Sequence, residues 1–160
     1  MDGAPASTSN GSRFKTEDWM AEYKELLSHG APEPKVPKPK VPPKASILTV
    51  QDGLPMHFGM DSLPVCAIRV VHPTNPRASS KNHGLTVLYV PPHAKLELHS
   101  HETEETYYIL SGKGLFYLTE GKKPIEQGHF IFLPSWCEHG IENTGIEMLV
   151  VLVTTSPTNP

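Results

Sequence analysis

The sequence is poor in cysteine and in net charge. It has two cysteines, Cys66 and Cys137, among 160 residues, and a formal net charge of −3. Two cysteines are too few for a framework of structural disulfides, so we expect free thiols. The small negative charge offers no basic surface to nucleic acid. We therefore predict no nucleic-acid partner.

The sequence also lacks long apolar runs. None approaches the roughly 20 residues that a helix needs to cross a bilayer. Residues 1–6 have neither the basic start nor the apolar centre of a signal peptide. These features predict a cytoplasmic protein with no membrane partner.

The first 45 residues differ in composition from the rest. Small and polar residues run to Ser12, and a short helix is predicted from Thr16, as N-cap, to Gly30. Prolines then recur between Pro32 and Pro43, which favours an extended arm that is either a strap around a partner subunit or a plain tether. We divide the chain into this N-terminal region at 1–45, a β domain at 46–155 and a C-terminal tail at 156–160.

The remaining sequence alternates short β-rich runs with turn residues. Eight runs rich in Val, Ile, Leu, Tyr or Phe are predicted strands: 46–50, 65–72, 85–90, 96–101, 106–110, 114–118, 129–133 and 148–154. Gly, Asn and Pro separate them, with no helical pattern between. This arrangement predicts an all-β fold, an antiparallel double-sheet β-sandwich or jelly-roll barrel.

Two histidines two residues apart mark the candidate site. On an extended strand the imidazoles of His99 and His101 point to the same face and can meet one ion. Glu105 can return to that ion if the chain turns at residues 102–104. The alternative is a solvated acidic hairpin with two exposed histidines.

A second pattern follows, and together the two resemble the motifs of the cupins. The first motif is met by His99, His101, Glu105 and Gly112, and the second by Gly128, Pro134, His139 and Asn143. The resemblance covers about residues 84–154. His93 and Trp136 stand at two positions where the family usually has glycine.

The resemblance implies a metal site. Its expected ligands are His99, His101, Glu105 and His139. Three imidazoles and a carboxylate leave one or two positions open on one divalent transition metal ion, Fe, Mn, Ni, Co or Zn, and no other cofactor is expected. A closed structural site is the alternative. The family also makes a homodimer the expected assembly.

Two residues near the ligands are candidates for catalysis. By strand parity Glu97 lies on the face of His99, where it points into the barrel or holds a ligand imidazole. Tyr107 faces inward two residues after Glu105, and a phenol beside a divalent ion can act as a general base. The order of these residues is similar to that in cupin lyases that cleave dimethylsulfoniopropionate; a buried aromatic that fills the barrel is the alternative.

The remaining candidates are expected to have structural roles. Trp136 is expected at the rim of the barrel, and His72, like other histidines in predicted loops, is expected to be solvated. An oxalate decarboxylase is disfavoured because the Arg expected three residues before the first ligand is Leu96.

These observations predict a metal-dependent enzyme that acts on a small-molecule substrate. We place a dioxygenase ahead of a lyase or of an isomerase or cyclase, and a non-catalytic small-ligand-binding protein is the competing class. The absence of a helix-turn-helix pattern favours an enzyme over a DNA-binding sensor.

Overall fold

The computed structural model describes residues 39–58 and 65–159. Residues 45–160 form one compact unit. The predicted N-terminal helix and most of the proline-rich arm lie outside the described residues. Residues 39–44 of the arm are exposed and belong to neither helix nor strand. No helix among the described residues has the length and apolar character needed to span a membrane.

Ten strands make up almost all of the regular structure that is described. A 3-10 helix, Val50–Asp52, precedes them. The strands are β1 (Leu54–Phe58), β2 (Val65–Val71), β3 (Gly84–Val90), β4 (Lys95–His99), β5 (Glu104–Ser111), β6 (Lys113–Leu118), β7 (Gly121–Glu126), β8 (Phe130–Leu133), β9 (His139–Glu142) and β10 (Leu149–Ser156).

The strands form two antiparallel sheets, which confirms the predicted fold class. One sheet has six strands in the order β1-β2-β3-β10-β5-β8, and the other has four in the order β4-β9-β6-β7. Alternate residues of β10 and β5 are buried, as expected where one face of a sheet covers the core. The core is built from large apolar side chains, among them Ile109, Phe116, Leu133, Ile141 and Leu149.

Three strands were not predicted from the sequence, and one predicted strand does not form. Residues 46–50 are not a strand; the 3-10 helix begins there at Val50, and its start is closed by hydrogen bonds between Thr49 and Asp52. β7 contains two lysines and Pro124, which an edge strand tolerates because one side of its backbone needs no partner. β1 and β9 are short and contain proline or glycine, so neither shows a clear alternating pattern.

The two positions that depart from the cupin glycines share one backbone conformation. His93 has φ 63° and Trp136 has φ 65°, the left-handed region that favours glycine. They are the only non-glycine residues with positive φ among those described. The side chains at these two positions therefore carry a conformational cost that glycine would avoid.

Candidate metal centre

Both sheets contribute to the predicted ligand set. The four-stranded sheet supplies His99 at the end of β4, His101 just after it and His139 at the start of β9. The ligand atoms of these three histidines all lie within 4.8 Å of one another, so they could hold one metal ion. Glu105 reaches the same place from β5 of the six-stranded sheet, with 5% of its surface exposed.

Backbone carbonyls fix the orientation of all three imidazoles. The Nδ1 atoms of His99, His101 and His139 lie 2.8, 3.0 and 2.9 Å from the carbonyl oxygens of Glu97, Thr103 and Cys137. A carbonyl can only accept, so each Nδ1 carries the proton. Each Nε2 is then left with a lone pair, the form in which imidazole binds a metal.

The inward-facing atoms of the cluster lack hydrogen-bond partners. Nε2 of His101, Nε2 of His139 and Oε2 of Glu105 are buried without one among the described residues. Oε2 lies 3.5 and 3.4 Å from these two nitrogens. Two atoms that each bind one ion at about 2.1 Å lie roughly 3.0 to 3.4 Å apart, so small movements would bring these atoms to a common ion. Buried, unpaired acceptors of this kind fit a metal site.

The protonation of His99 is consistent with this role. Burial lowers the pKa of the His99 imidazole, and the neighbouring His139 and His101 lower it further, against the opposing effect of the Glu97 carbonyl. A lowered pKa keeps the imidazole neutral near pH 7, as a metal ligand must be.

The predicted position of the Glu97 side chain is wrong, because β4 carries a β-bulge. Leu96 pairs with Ile141, but His99 pairs with His139, so β4 has one more residue than β9 between these pairs. The extra residue reverses the parity, and the side chain of Glu97 is 77% exposed in an ion pair with Lys95 at 2.7 Å. Glu97 orients His99 through its backbone carbonyl instead.

Gly140 makes room for this bulge. A Cβ built on Gly140 would lie 2.8 Å from the carbonyl oxygen of Leu96 and 3.2 Å from backbone atoms of Glu97 and Leu98. Any larger residue would press against the backbone that turns His99 inward. Gly140 is thus a positioning residue that the motif comparison did not single out.

Tyr107 lies next to the cluster, in the core. It is 4% exposed, and its ring meets those of Phe116 and His139 edge-on at 5.5 and 5.9 Å. Burial raises the pKa of the phenol well above its usual value, and the adjacent Glu105 carboxylate raises it further. The same side chain lines the cavity described next.

A cavity of about 340 Å³ opens beside the ligands. His99, His101 and Glu105 form one part of its wall, and apolar side chains such as Leu88 and Val153 form much of the rest. A volume of this order suits a small organic molecule. Trp136 is 65% exposed and is not among the described residues that line this cavity, as expected of a residue at the rim.

Sequence reasoning missed two polar residues of the cavity. Arg69 shares the inward parity of Val65 and Ala67 on β2, so a charge on the buried face of a predicted strand was the available signal. His72 was expected to be solvated, but it is 6% exposed. Its ring nitrogens lie 2.6 Å from Oγ1 of Thr74 and 2.9 Å from the carbonyl oxygen of Asn159.

Residues 86–155 match the sequence profile of the cupin domain. The match includes both motifs, all four predicted ligands and most strands of the two sheets. Residues 86–155 form a cupin domain. The predicted resemblance is thereby confirmed, and the turn residue Asn143 shows why its motif needs an amide. Its side chain donates to the carbonyls of Val90 and Glu147 and accepts from the Gly145 amide, so it ties the end of β9 to the end of β3 and to the turn that follows β9.

The chain is similar to several proteins whose names indicate different functions. An oxalate-binding protein of Thermotoga maritima is 43% identical over 68 residues, which are 40% of this chain and 56% of that protein. The chain therefore spans about half the length of the curated relatives it matches.

Solved structures extend the comparison over more of the chain. A Thermotoga maritima protein described as a predicted oxalate decarboxylase has 26% identity and a TM-score of 0.59, covering 70% of this chain and 99% of that one. A DMSP lyase structure has 25% identity and a TM-score of 0.52, covering 57% of this chain and 47% of that one.

Proposed function

We propose that this cupin is a metal-dependent enzyme that acts on a small organic substrate at a mononuclear divalent metal ion. The observation that carries the proposal is the cluster of three oriented imidazoles and Glu105 beside a cavity. Buried atoms of His101, His139 and Glu105 in this cluster have no hydrogen-bond partner among the described residues. A divalent transition ion there would supply a Lewis acid with one or two open coordination positions.

The residues of the chain prepare this site before a substrate arrives. Carbonyls hold each imidazole in the tautomer that presents Nε2. Apolar walls limit water around the substrate, which strengthens polar interactions inside. With its proton held by burial and by Glu105, Tyr107 is placed to donate a hydrogen bond toward the cavity.

We place a dioxygenase first among the reactions. Histidine and carboxylate ligands with open positions are the donor set that suits non-haem Fe(II). A lyase or an isomerase is the alternative, in which Tyr107 moves a proton, and the similarity to a DMSP lyase supports it. In that case the bound metal would have to oppose the raised pKa of the phenol.

A binding protein without catalysis is a second candidate. The relative named as an oxalate-binding protein, 43% identical over 68 residues, favours it. In this case the same ligands and the same cavity would hold a small anion and release it unchanged.

Oxygen uptake by the metal-loaded protein separates these candidates. The protein, loaded in turn with Fe(II), Mn(II), Ni(II), Co(II) and Zn(II), is offered diketones, catechols, thiols and short carboxylic acids. We expect substrate-dependent O₂ uptake that is lost in His101→Ala. Product formed equally well without O₂ would assign a lyase or isomerase, and reversible binding without any product would overturn the enzyme proposal.

A further inference from the structure

Arg69 lies on the same inner face of the six-stranded sheet as the residues beside the metal centre. Along one row of paired residues, Arg69 of β2 is opposite Thr86 of β3, Thr86 is opposite Val153 of β10, and Val153 is opposite Tyr107 of β5. All four side chains line the cavity. Three strand spacings of about 4.8 Å separate β2 from β5, or roughly 14 Å between the Cα atoms of Arg69 and Tyr107.

The next row carries the metal-binding end of the same wall. Glu105 is opposite Thr155, and Thr155 is opposite Gly84. A Cβ on Gly84 would collide with Oγ1 of Thr155, so glycine here leaves space for that hydroxyl in the cavity wall. The cavity therefore has the metal ligands toward β5 and a cation on β2, with hydroxyl and apolar groups between them.

Arg69 keeps its charge in this setting. It is partly buried, and burial lowers the pKa of its guanidinium, but arginine stays protonated in proteins. Arg69 also takes part in another interaction of the chain. A guanidinium has five N–H donors in a planar fork, so it can keep that contact and still present donors to the cavity.

An arginine in a mostly apolar cavity selects for an anion that can pair with it. A planar carboxylate fits the guanidinium fork with two parallel hydrogen bonds. A neutral ligand of the same shape would make weaker hydrogen bonds to the same donors, because its acceptor atoms carry no charge.

We propose that Arg69 binds the carboxylate of a short organic acid whose other polar end reaches the metal centre. The inference rests on the proposed function, and it names the substrate class of the same site. The sequence argument against an oxalate decarboxylase rested on Leu96 in the motif strand, whereas here the cation comes from β2.

Binding of matched acids and amides tests the proposal without any activity assay. The probes are 2-oxo and hydroxy acids of three to six carbons and their primary amides, titrated calorimetrically into protein loaded with Zn(II) or Mn(II). We expect at least one acid to bind about 10- to 100-fold more tightly than its amide. In Arg69→Gln this preference should shrink to within about threefold, because the remaining site no longer distinguishes charge at that end.

Arg77→Gln is the matched control. Arg77 is largely exposed, pairs with Asp52 at 3.7 Å and is not among the described residues that line the cavity. This variant should keep the wild-type preference for acids. Arg69→Lys keeps the charge but not the fork, and we expect an intermediate preference.

Three results would overturn the proposal. They are failure of every acid to bind wild-type protein at millimolar concentration, equal affinity for acids and amides, and an undiminished preference in Arg69→Gln. The wild-type comparison needs no variant, so it holds even if Arg69→Gln does not fold. Metal content is measured separately: a protein that binds no ion contradicts the proposed function, whereas an acid preference in the apoprotein that depends on Arg69 would still support this inference.

Discussion

The two sheets build the site in different ways. The four-stranded sheet supplies three imidazoles from the end of β4 and the start of β9. The backbone is irregular there, with the bulge in β4, the close approach at Gly140 and the positive φ of Trp136. The six-stranded sheet supplies Glu105, Tyr107 and Arg69 from two neighbouring rows of paired residues. Metal binding therefore depends on local backbone geometry, whereas the cavity depends on the order of strands.

Removal of a ligand from the irregular sheet should have the largest effect. We expect His101→Ala to weaken binding of Zn(II) or Mn(II) more than 100-fold, because an oriented imidazole is lost and cannot be replaced. Competition with a chromogenic chelator measures the affinity. His57→Ala, at an exposed position on β1, is the control and should bind as wild type. Equal affinity in the two variants would show that His101 is not a ligand.

Gly140 tests the irregular backbone of the four-stranded sheet separately from the ligands, because it has no ligand atom of its own. A methyl group in Gly140→Ala would press on the Leu96 carbonyl and move the bulge that orients His99. We expect metal affinity to fall about 10- to 100-fold, and the free energy of unfolding to fall by about 1–3 kcal/mol.

Gly114→Ala provides the control for plain destabilisation. A Cβ on Gly114 would collide with the Glu142 carbonyl at the other end of β9. This variant should lose stability but keep its affinity for metal. If both variants lost affinity equally, the account of the bulge would be wrong.

Acid should lower both the stability of the apoprotein and the metal affinity of the histidine cluster. The pKa of His99 is lowered by burial, so between that pKa and the ordinary value of about 6.5 the unfolded chain binds more protons than the folded one. Stability of the apoprotein should thus fall as pH drops below about 6.5, and metal affinity should fall with it because protons compete for the ligands. Urea titrations and chelator competition at pH 5.5 and 7.5 measure both. Metal affinity that is unchanged between them would contradict neutral imidazole ligands.

The smallest effect is expected at the strained turn before β4. His93 is exposed with φ 63°, and its backbone amide donates to the Asn143 carbonyl at 3.0 Å. His93→Gly should relieve the left-handed conformation and stabilise the domain by up to about 1 kcal/mol, reduced by the greater freedom of glycine in the unfolded chain. Urea unfolding checks this, and metal affinity should not change. A clear loss of stability would mean that the imidazole has a structural role.

The sequence predicted the parts of the site that are encoded locally. His99, His101, Glu105 and His139 stand at fixed spacings, and the structure brings them together. Glu97 was misplaced because a bulge changes parity without a clear sign in the sequence.

Arg69 could not have been assigned to the site from the sequence. Its place in the same row as Tyr107 follows from the strand order β2-β3-β10-β5, in which β10 lies between two strands that are far from it along the chain. The fold class was predictable because alternation and turn residues recur in most strands. β7 and β9 were missed because lysine, proline and glycine interrupt that alternation.

The metal content of the purified protein tests the central claim most directly. Elemental analysis of wild-type protein, incubated with a transition metal mixture and then freed of loosely bound ions, should find about one divalent transition ion per chain. His139→Ala, treated in the same way, should retain less than about a tenth of that amount. A wild-type chain that holds no ion, or a variant that holds as much as wild type, would contradict the assignment of His99, His101, Glu105 and His139 as a metal centre.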